Sequence, residues 1–198
     1  MSGYLSGRDW SGIELKVLSV DQSLANSGWA LIHFGASVPG VLDCGTIHSR
    51  PIPDLSGYAD SLTRGEHLFG AYRALIMDTS PTLIVHEAPA MQGKMVSRNR
   101  EAPVIAVTAL RCAAASLGHR GAIAMMQAQR VKKLVTGRHD ADKAMVREAV
   151  ESVLSFPGRI NEHIADAAAI ALAACIDGTL LSSFRLAQIG PEAVGIVR

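Results

Sequence analysis

The stretch VLSVDQSLANSGWALI, residues 17–32, constrains the fold more than any other. An apolar run ends abruptly in Asp21, a short polar turn follows, and a second apolar run starts at Gly28. Apolar runs of this length bounded by turn residues read as strands, and a connection this short joins antiparallel neighbours. Lys16–Asp21 and Gly28–Phe34 are the first two. Val41–Ile47, reached through Gly35, Pro39 and Gly40, is a third, so the chain opens with a three-stranded meander.

The remainder alternates. Tyr58–Asp78 repeats apolar residues at near-helical spacing and stops at Ser80-Pro81. Thr82–His86 is a short β-branched strand that runs into Glu87, and Ala88–Arg100 reads as a loop. Ala102–Leu117 is apolar almost all round, which predicts a helix buried on more than one face, with one face free for a partner subunit. A fifth strand is expected at Ala122–Gln127, with helices at Gln129–Val135, Ala141–Leu154 and Glu162–Ile176. The order β-β-β-α-β-α-β-α-α-α describes an α/β fold with a five-stranded mixed sheet flanked by helices. Residues 16–178 then form one domain, with an N-terminal extension over 1–15 and a tail over 179–198.

A chain of 198 residues with 48% hydrophobic content can bury a full core. No stretch resembles a secretory leader, and none reaches the ~18 apolar residues of a membrane span. A cytoplasmic protein is expected. Cys44, Cys112 and Cys175 lie far apart in apolar stretches and read as small buried thiols. Net charge is only +1, but it is unevenly spread: residues 92–159 hold 12 Lys/Arg against 5 Asp/Glu, while residues 1–91 hold 5 against 9. That pattern fits a positive face beside an acidic site, and it equally fits ordinary solvated helix faces.

Two strands end in an acid, Asp21 and Glu87. Sites in α/β sheets gather at the carboxyl ends of strands. Were these strands neighbours, the two carboxylates would repel and raise each other's pKa unless a cation lay between them. Oxygen ligands of this kind suit Mg²⁺ or Mn²⁺. His163 and Asp166 are three residues apart, on one face of the last helix. Each has an ordinary role when taken singly: a turn cap for Asp21, a strand-end surface acid for Glu87, exposed helix residues for His163 and Asp166. Their joint placement at two strand ends and one helix face is what points to a metal site.

These segments resemble the RuvC-type Holliday-junction resolvases of the RNase H-like superfamily. VLSVDQSLANSGWALI is similar to that family's first-strand motif and LIVHEAPAM to its second-acid segment. QRVKKLVTGRHDADKAMV resembles its basic segment and NEHIADAAAIALAA its C-terminal acid helix. The four blocks stand in the family's order across residues 16–176. The resemblance implies an RNase H-like fold and a homodimeric, structure-selective endonuclease that nicks opposite strands of a four-way DNA junction. It implies two Mg²⁺ or Mn²⁺ ions per active site, with Asp21, Glu87 and Asp166 as metal-binding carboxylates. His163 falls where members carry Asp or His. Lys132 and Lys143 fall on lysines facing the scissile phosphate, and Arg98, Arg100, Arg130, Lys133 and Arg138 would track neighbouring phosphates.

The chain departs from the family in three places, which fits a phage-type member. Ser23 stands where Gly is usual. No aromatic residue occurs between Glu87 and Arg111, so Met91 or Met95 would serve as the wedge at the junction centre. The extension 1–15 is additional. Two other readings remain open at this level: a nuclease of the same fold acting on forks or flaps, and an inactive junction-binding protein. An actin-like ATPase also carries an Asp-led turn between strands, but needs two such lobes, and 198 residues hold only one. Whether a branch-migration motor joins the protein is not legible in these residues.

Overall fold

The computed structural model of the chain describes residues 4–5, 7–10, 14–89, 101–119 and 123–178. Five strands, β1 (Leu15–Asp21), β2 (Asn26–Phe34), β3 (Gly40–His48), β4 (Leu83–Glu87) and β5 (Ile123–Met126), form one sheet in the order β3-β2-β1-β4-β5. The first three pair antiparallel as a meander, and β4 and β5 add in parallel beside β1. Helices α1 (Gly57–Thr79) and α2 (Glu101–Ser116) cover one face; α3 (Ala128–Thr136), α4 (Lys143–Glu151) and α5 (Glu162–Ile176) cover the other. Among the described residues no helix is long and apolar enough to cross a membrane.

Strand alternation sorts the two cores. Leu15 and Val17 of β1 join Leu83 and Val85 of β4 beneath α3–α5. Leu18 and Val20 join Ile84 beneath α1 and α2. With a period of two, Asp21 and Glu87 both fall on the α5 side. Register then sets them side by side, because Val20 pairs with His86 across the parallel ladder.

Most boundaries match the sequence reading within two residues, and four features differ. The fourth helix starts only at Lys143 because the Asp142 side chain caps it, accepting from the Met145 amide at 2.8 Å, and it ends at Glu151 rather than Leu154. The apolar helix α2 buries one face, and Val104 on the other is 46% exposed in the single chain. Of the three thiols only Cys175 is buried; Cys112 is exposed because it lies on that outer face of α2. Ahead of β1, Leu5 and Trp10 are buried in the α3–α5 core, with Trp10 against Phe34 at a centroid separation of 5.5 Å.

The turn after Asp21 needs no glycine. Ser23 has an ordinary negative φ, and the Ser27 hydroxyl closes the turn, donating to the Ser23 carbonyl at 2.6 Å and accepting from the Ser23 amide at 3.0 Å. The buried Arg64 of α1 donates to the Leu24 and Ser49 carbonyls and pairs with Asp60, which holds the turn against α1.

Gly28 is where α5 meets the sheet. A Cβ there would overlap the backbone carbonyl of His163 and sit 2.7 Å from the His163 Cβ. Backbone cannot yield as a flexible side chain can, so only glycine admits the helix this close. Gly28→Ala is expected to cost about 1–3 kcal/mol or more as α5 is pushed off the sheet. Urea denaturation checks this; an unchanged midpoint would show that the helix does not sit there.

Candidate active site

Asp21 and Glu87 leave the sheet at adjacent strand ends, and the first turn of α5 comes down over them. Asn161 starts that helix. Its Oδ1 accepts from the Ile164 amide at 2.9 Å and its Nδ2 donates to Thr46 Oγ1 of β3 at 3.0 Å, so the cap also fastens the helix to the sheet. His163 and Asp166 face the strand ends as a result. His163 Nδ1 lies 3.4 Å from Asp21 Oδ2. With the carboxylate ionised, Nδ1–H donates and the lone pair is left on Nε2.

The electrostatics show how tightly the acids are grouped. Burial pushes the Glu87 carboxyl up to about 7, and the neighbouring Asp21 and Asp166 push the same way against Lys132. Asp166 is raised by burial and by Asp21, with Lys143 opposing. Burial also raises Asp21, while His163 and Lys143 oppose. Three half-buried carboxylates therefore share one field, with Lys132 of α3 near Glu87 and Lys143 of α4 near Asp21 and Asp166.

Among the described residues, no three His, Cys, Asp or Glu side chains close into a finished metal cage. What the donor set offers is chemistry. Hard carboxylate oxygens that repel one another where they stand, with one imidazole beside them, are what a divalent cation neutralises. On that ground Asp21, Glu87, His163 and Asp166 fit Mg²⁺ or Mn²⁺.

The remaining cations divide. Lys133 is exposed on α3. Arg138 is exposed and pairs with Asp140 at 3.0 Å. Arg130 lies apart from the acids, since its Nε donates to Asp177 at 2.5 Å at the other end of α5, about 16 Å along the helix from Asp166. Arg98, Arg100, Met91 and Met95 lie outside the described residues. Three residues escaped the sequence reading. Glu162 holds the Lys143 ammonium at 2.7 Å, and its i,i+1 position beside His163 was the one available hint. Gln22 and His86 both donate to the Glu87 backbone carbonyl, a tertiary arrangement with no signal in the sequence.

The raised Glu87 pKa has a consequence for stability. The folded chain holds the proton between pH 4.5 and about 7, where an unfolded glutamate has lost it. Stability in the absence of metal therefore falls as pH rises through that window. Glu87→Gln removes the cost, and with partial exposure discounted it is expected to stabilise the metal-free protein by about 1–2 kcal/mol at pH 8 and by little at pH 4.5. Denaturant unfolding in chelator at both pH values checks the difference.

Comparison with known proteins places this arrangement. The curated crossover junction endodeoxyribonuclease RuvC of Methylocella silvestris is 27% identical over 158 residues, covering 80% of this chain and 84% of that protein. The protein of the same description from Parvibaculum lavamentivorans is 27% identical over 166 residues, 81% of this chain and 86% of its own length. In structure, the chain is similar to Thermus thermophilus RuvC in complex with Holliday junction substrate, with a TM-score of 0.70, 18% identity and coverage of 86% and 98%. It is also similar to the yeast mitochondrial Holliday junction resolvase Ydc2, with a TM-score of 0.58, 11% identity and coverage of 88% and 83%. At those identities the structural likenesses speak to the fold, which is RNase H-like. The model of the family described as crossover junction endodeoxyribonuclease RuvC matches residues 17–174, from the strand that ends in Asp21 to the helix that carries Asp166, and the chain belongs to that family.

Proposed function

We propose that this chain is a metal-dependent endonuclease that resolves four-way DNA junctions as a homodimer, each protomer nicking one of two opposing strands. The observation that carries the reading is the convergence of Asp21, Glu87, His163 and Asp166 at one end of the sheet, flanked by Lys132 and Lys143. The names of the relatives support the substrate.

The reaction is hydrolysis of a phosphodiester. Water adds its oxygen to phosphorus, the bond to the 3′ oxygen breaks, and the products are a 5′ phosphate and a 3′ hydroxyl. Divalent ions held by Asp21, Glu87, His163 and Asp166, two per site, would supply charge neutralisation at the phosphate and a more acidic water. The chain's own groups do the rest. Lys132 and Lys143 place positive charge beside the acids, where it attracts and holds a phosphate. Glu162 keeps Lys143 extended over the site until a phosphate competes for it. The Asp21 contact orients the His163 ring, which fixes where Nε2 points.

The deciding experiment incubates the full chain with labelled four-way, three-way and linear DNA in Mg²⁺, Mn²⁺ or chelator. Cutting confined to the four-way junction and abolished by chelator is the expected result. Equal cutting of the three-way form would assign the protein to branched DNA in general, and no cutting in any metal would leave only a binding role. Asp21→Asn is expected to bind the junction as the parent does and to cut it about 10²–10³-fold more slowly. Retained cutting would remove Asp21 from the mechanism. Imidazole is a softer ligand than carboxylate, so His163→Asp is expected to lower the ratio of Mn²⁺-supported to Mg²⁺-supported cutting. An unchanged ratio would take His163 out of the ligand set.

A further inference from the structure

Glu87 is gripped twice. Its carboxylate belongs to the acid cluster on the α5 side, while its backbone carbonyl accepts from Gln22 Nε2 at 2.7 Å and from His86 Nδ1 at 2.8 Å. A carbonyl oxygen has two lone pairs, so these two donors saturate it. The adjoining Ala88 amide is also fixed, donating to the Met126 carbonyl of β5 at 2.7 Å. The peptide unit from which β4 leaves the sheet is thus held on both sides, one residue from the carboxylate it presents.

The protonation states follow from the partners. A carbonyl can only accept, so Gln22 must turn its nitrogen toward Glu87 and its oxygen away. Arg111 of α2 can only donate, and its Nη1 lies 3.3 Å from His86 Nε2. His86 is therefore neutral, with its proton on Nδ1 and directed at Glu87. It is fully buried, and its alternation with Ile84 puts it under α1 and α2, away from the acids.

Gln22 is also expensive. Its Oε1 is buried and has no hydrogen-bond partner among the described residues. An unsatisfied buried acceptor costs stability, and an apolar side chain of the same length, such as methionine, would avoid the cost. Stability alone does not account for glutamine here; the donor it supplies to Glu87 does.

We propose that Gln22 and His86 are positioning residues that saturate the Glu87 carbonyl and so fix the carboxylate within the acid cluster. The inference rests on the proposed metal site. The test compares Gln22→Met, His86→Asn and His86→Leu with the unaltered full chain in three measurements. These are melting temperature, Mn²⁺ affinity by electron paramagnetic resonance titration, and single-turnover cutting of a four-way junction. Gln22→Met loses the donor together with the oxygen that has no partner among the described residues, so Tm is expected to hold or rise while Mn²⁺ affinity and cutting each fall about tenfold or more. His86→Leu is expected to lose affinity and cutting likewise. His86→Asn retains an N–H close to the Nδ1 position and is expected to stay within about threefold of the parent. Mn²⁺ affinity of Gln22→Met within about twofold of the parent overturns the proposal, as does a Tm drop of more than about 4 °C, which marks a structural role. Should the unaltered chain bind Mn²⁺ yet cut no junction, the proposed function falls and the affinity comparison still decides this inference. Failure of the unaltered chain to bind Mn²⁺ overturns both.

Discussion

Parallel pairing of β1 with β4 governs everything that happens at the acid cluster. Both strands are buried on both faces, so neither can slip by one residue without turning a full set of apolar side chains onto the wrong core. Leu83 and Val85 are committed to one side and Ile84 to the other, as are Val17 on the first side and Leu18 and Val20 on the second. The residue after each committed run has no freedom left. Asp21 and Glu87 must emerge next to each other, on the face that α5 covers. A rigid ladder therefore does for these carboxylates what a loop could not, which is to hold like charges together against their repulsion.

Proximity of the helix is the second requirement, and it falls on Gly28. β2 lies between β1 and the meander edge, directly under the first turn of α5. A side chain at that position would lift His163 and Asp166 away from the strand ends, and the cluster would lose half its members. Asn161 acts at the same place by a different means, since one side chain both ends the preceding loop and ties the helix to β3 through Thr46. The cost of the resulting crowd is visible in the raised carboxyl groups of Asp21, Glu87 and Asp166. It is only partly offset by Lys132 and Lys143, which are held on the separate helices α3 and α4. A fold selected for stability alone would disperse these acids.

Period and local chemistry explain how much of this could be read from the sequence. The apolar run before Asp21 and the β-branched run before Glu87 announce strands, and an acid ending each one announces a site. The three-residue spacing of His163 and Asp166 announces a helix face. The ten regular elements among the described residues follow from such local patterns, and α5 has the limits its pattern predicts. Local patterns do not carry pairings made at long range. Arg130 looks like its basic neighbours in sequence, yet Asp177, 47 positions on, claims it. The burial of Leu5 and Trp10 in the α3–α5 core depends on a groove that exists only once the domain has formed. The hold of Gln22 on Glu87 spans 65 positions and leaves no trace in the sequence.

The carboxylate and the backbone carbonyl of Glu87 have opposite surroundings. On the carboxylate side the environment is buried and acidic, with Asp21 and Asp166 opposed by Lys132. On the carbonyl side it is saturated with donors, one of them from an imidazole whose tautomer Arg111 fixes. Burial first, and the neighbouring acids second, hold the Glu87 and Asp166 carboxyl groups above their ordinary range, and a divalent cation bound there would recover that free energy. Gln22, the first residue of the turn, supplies one of the donors to the Glu87 carbonyl, and its own Oε1 has no hydrogen-bond partner among the described residues.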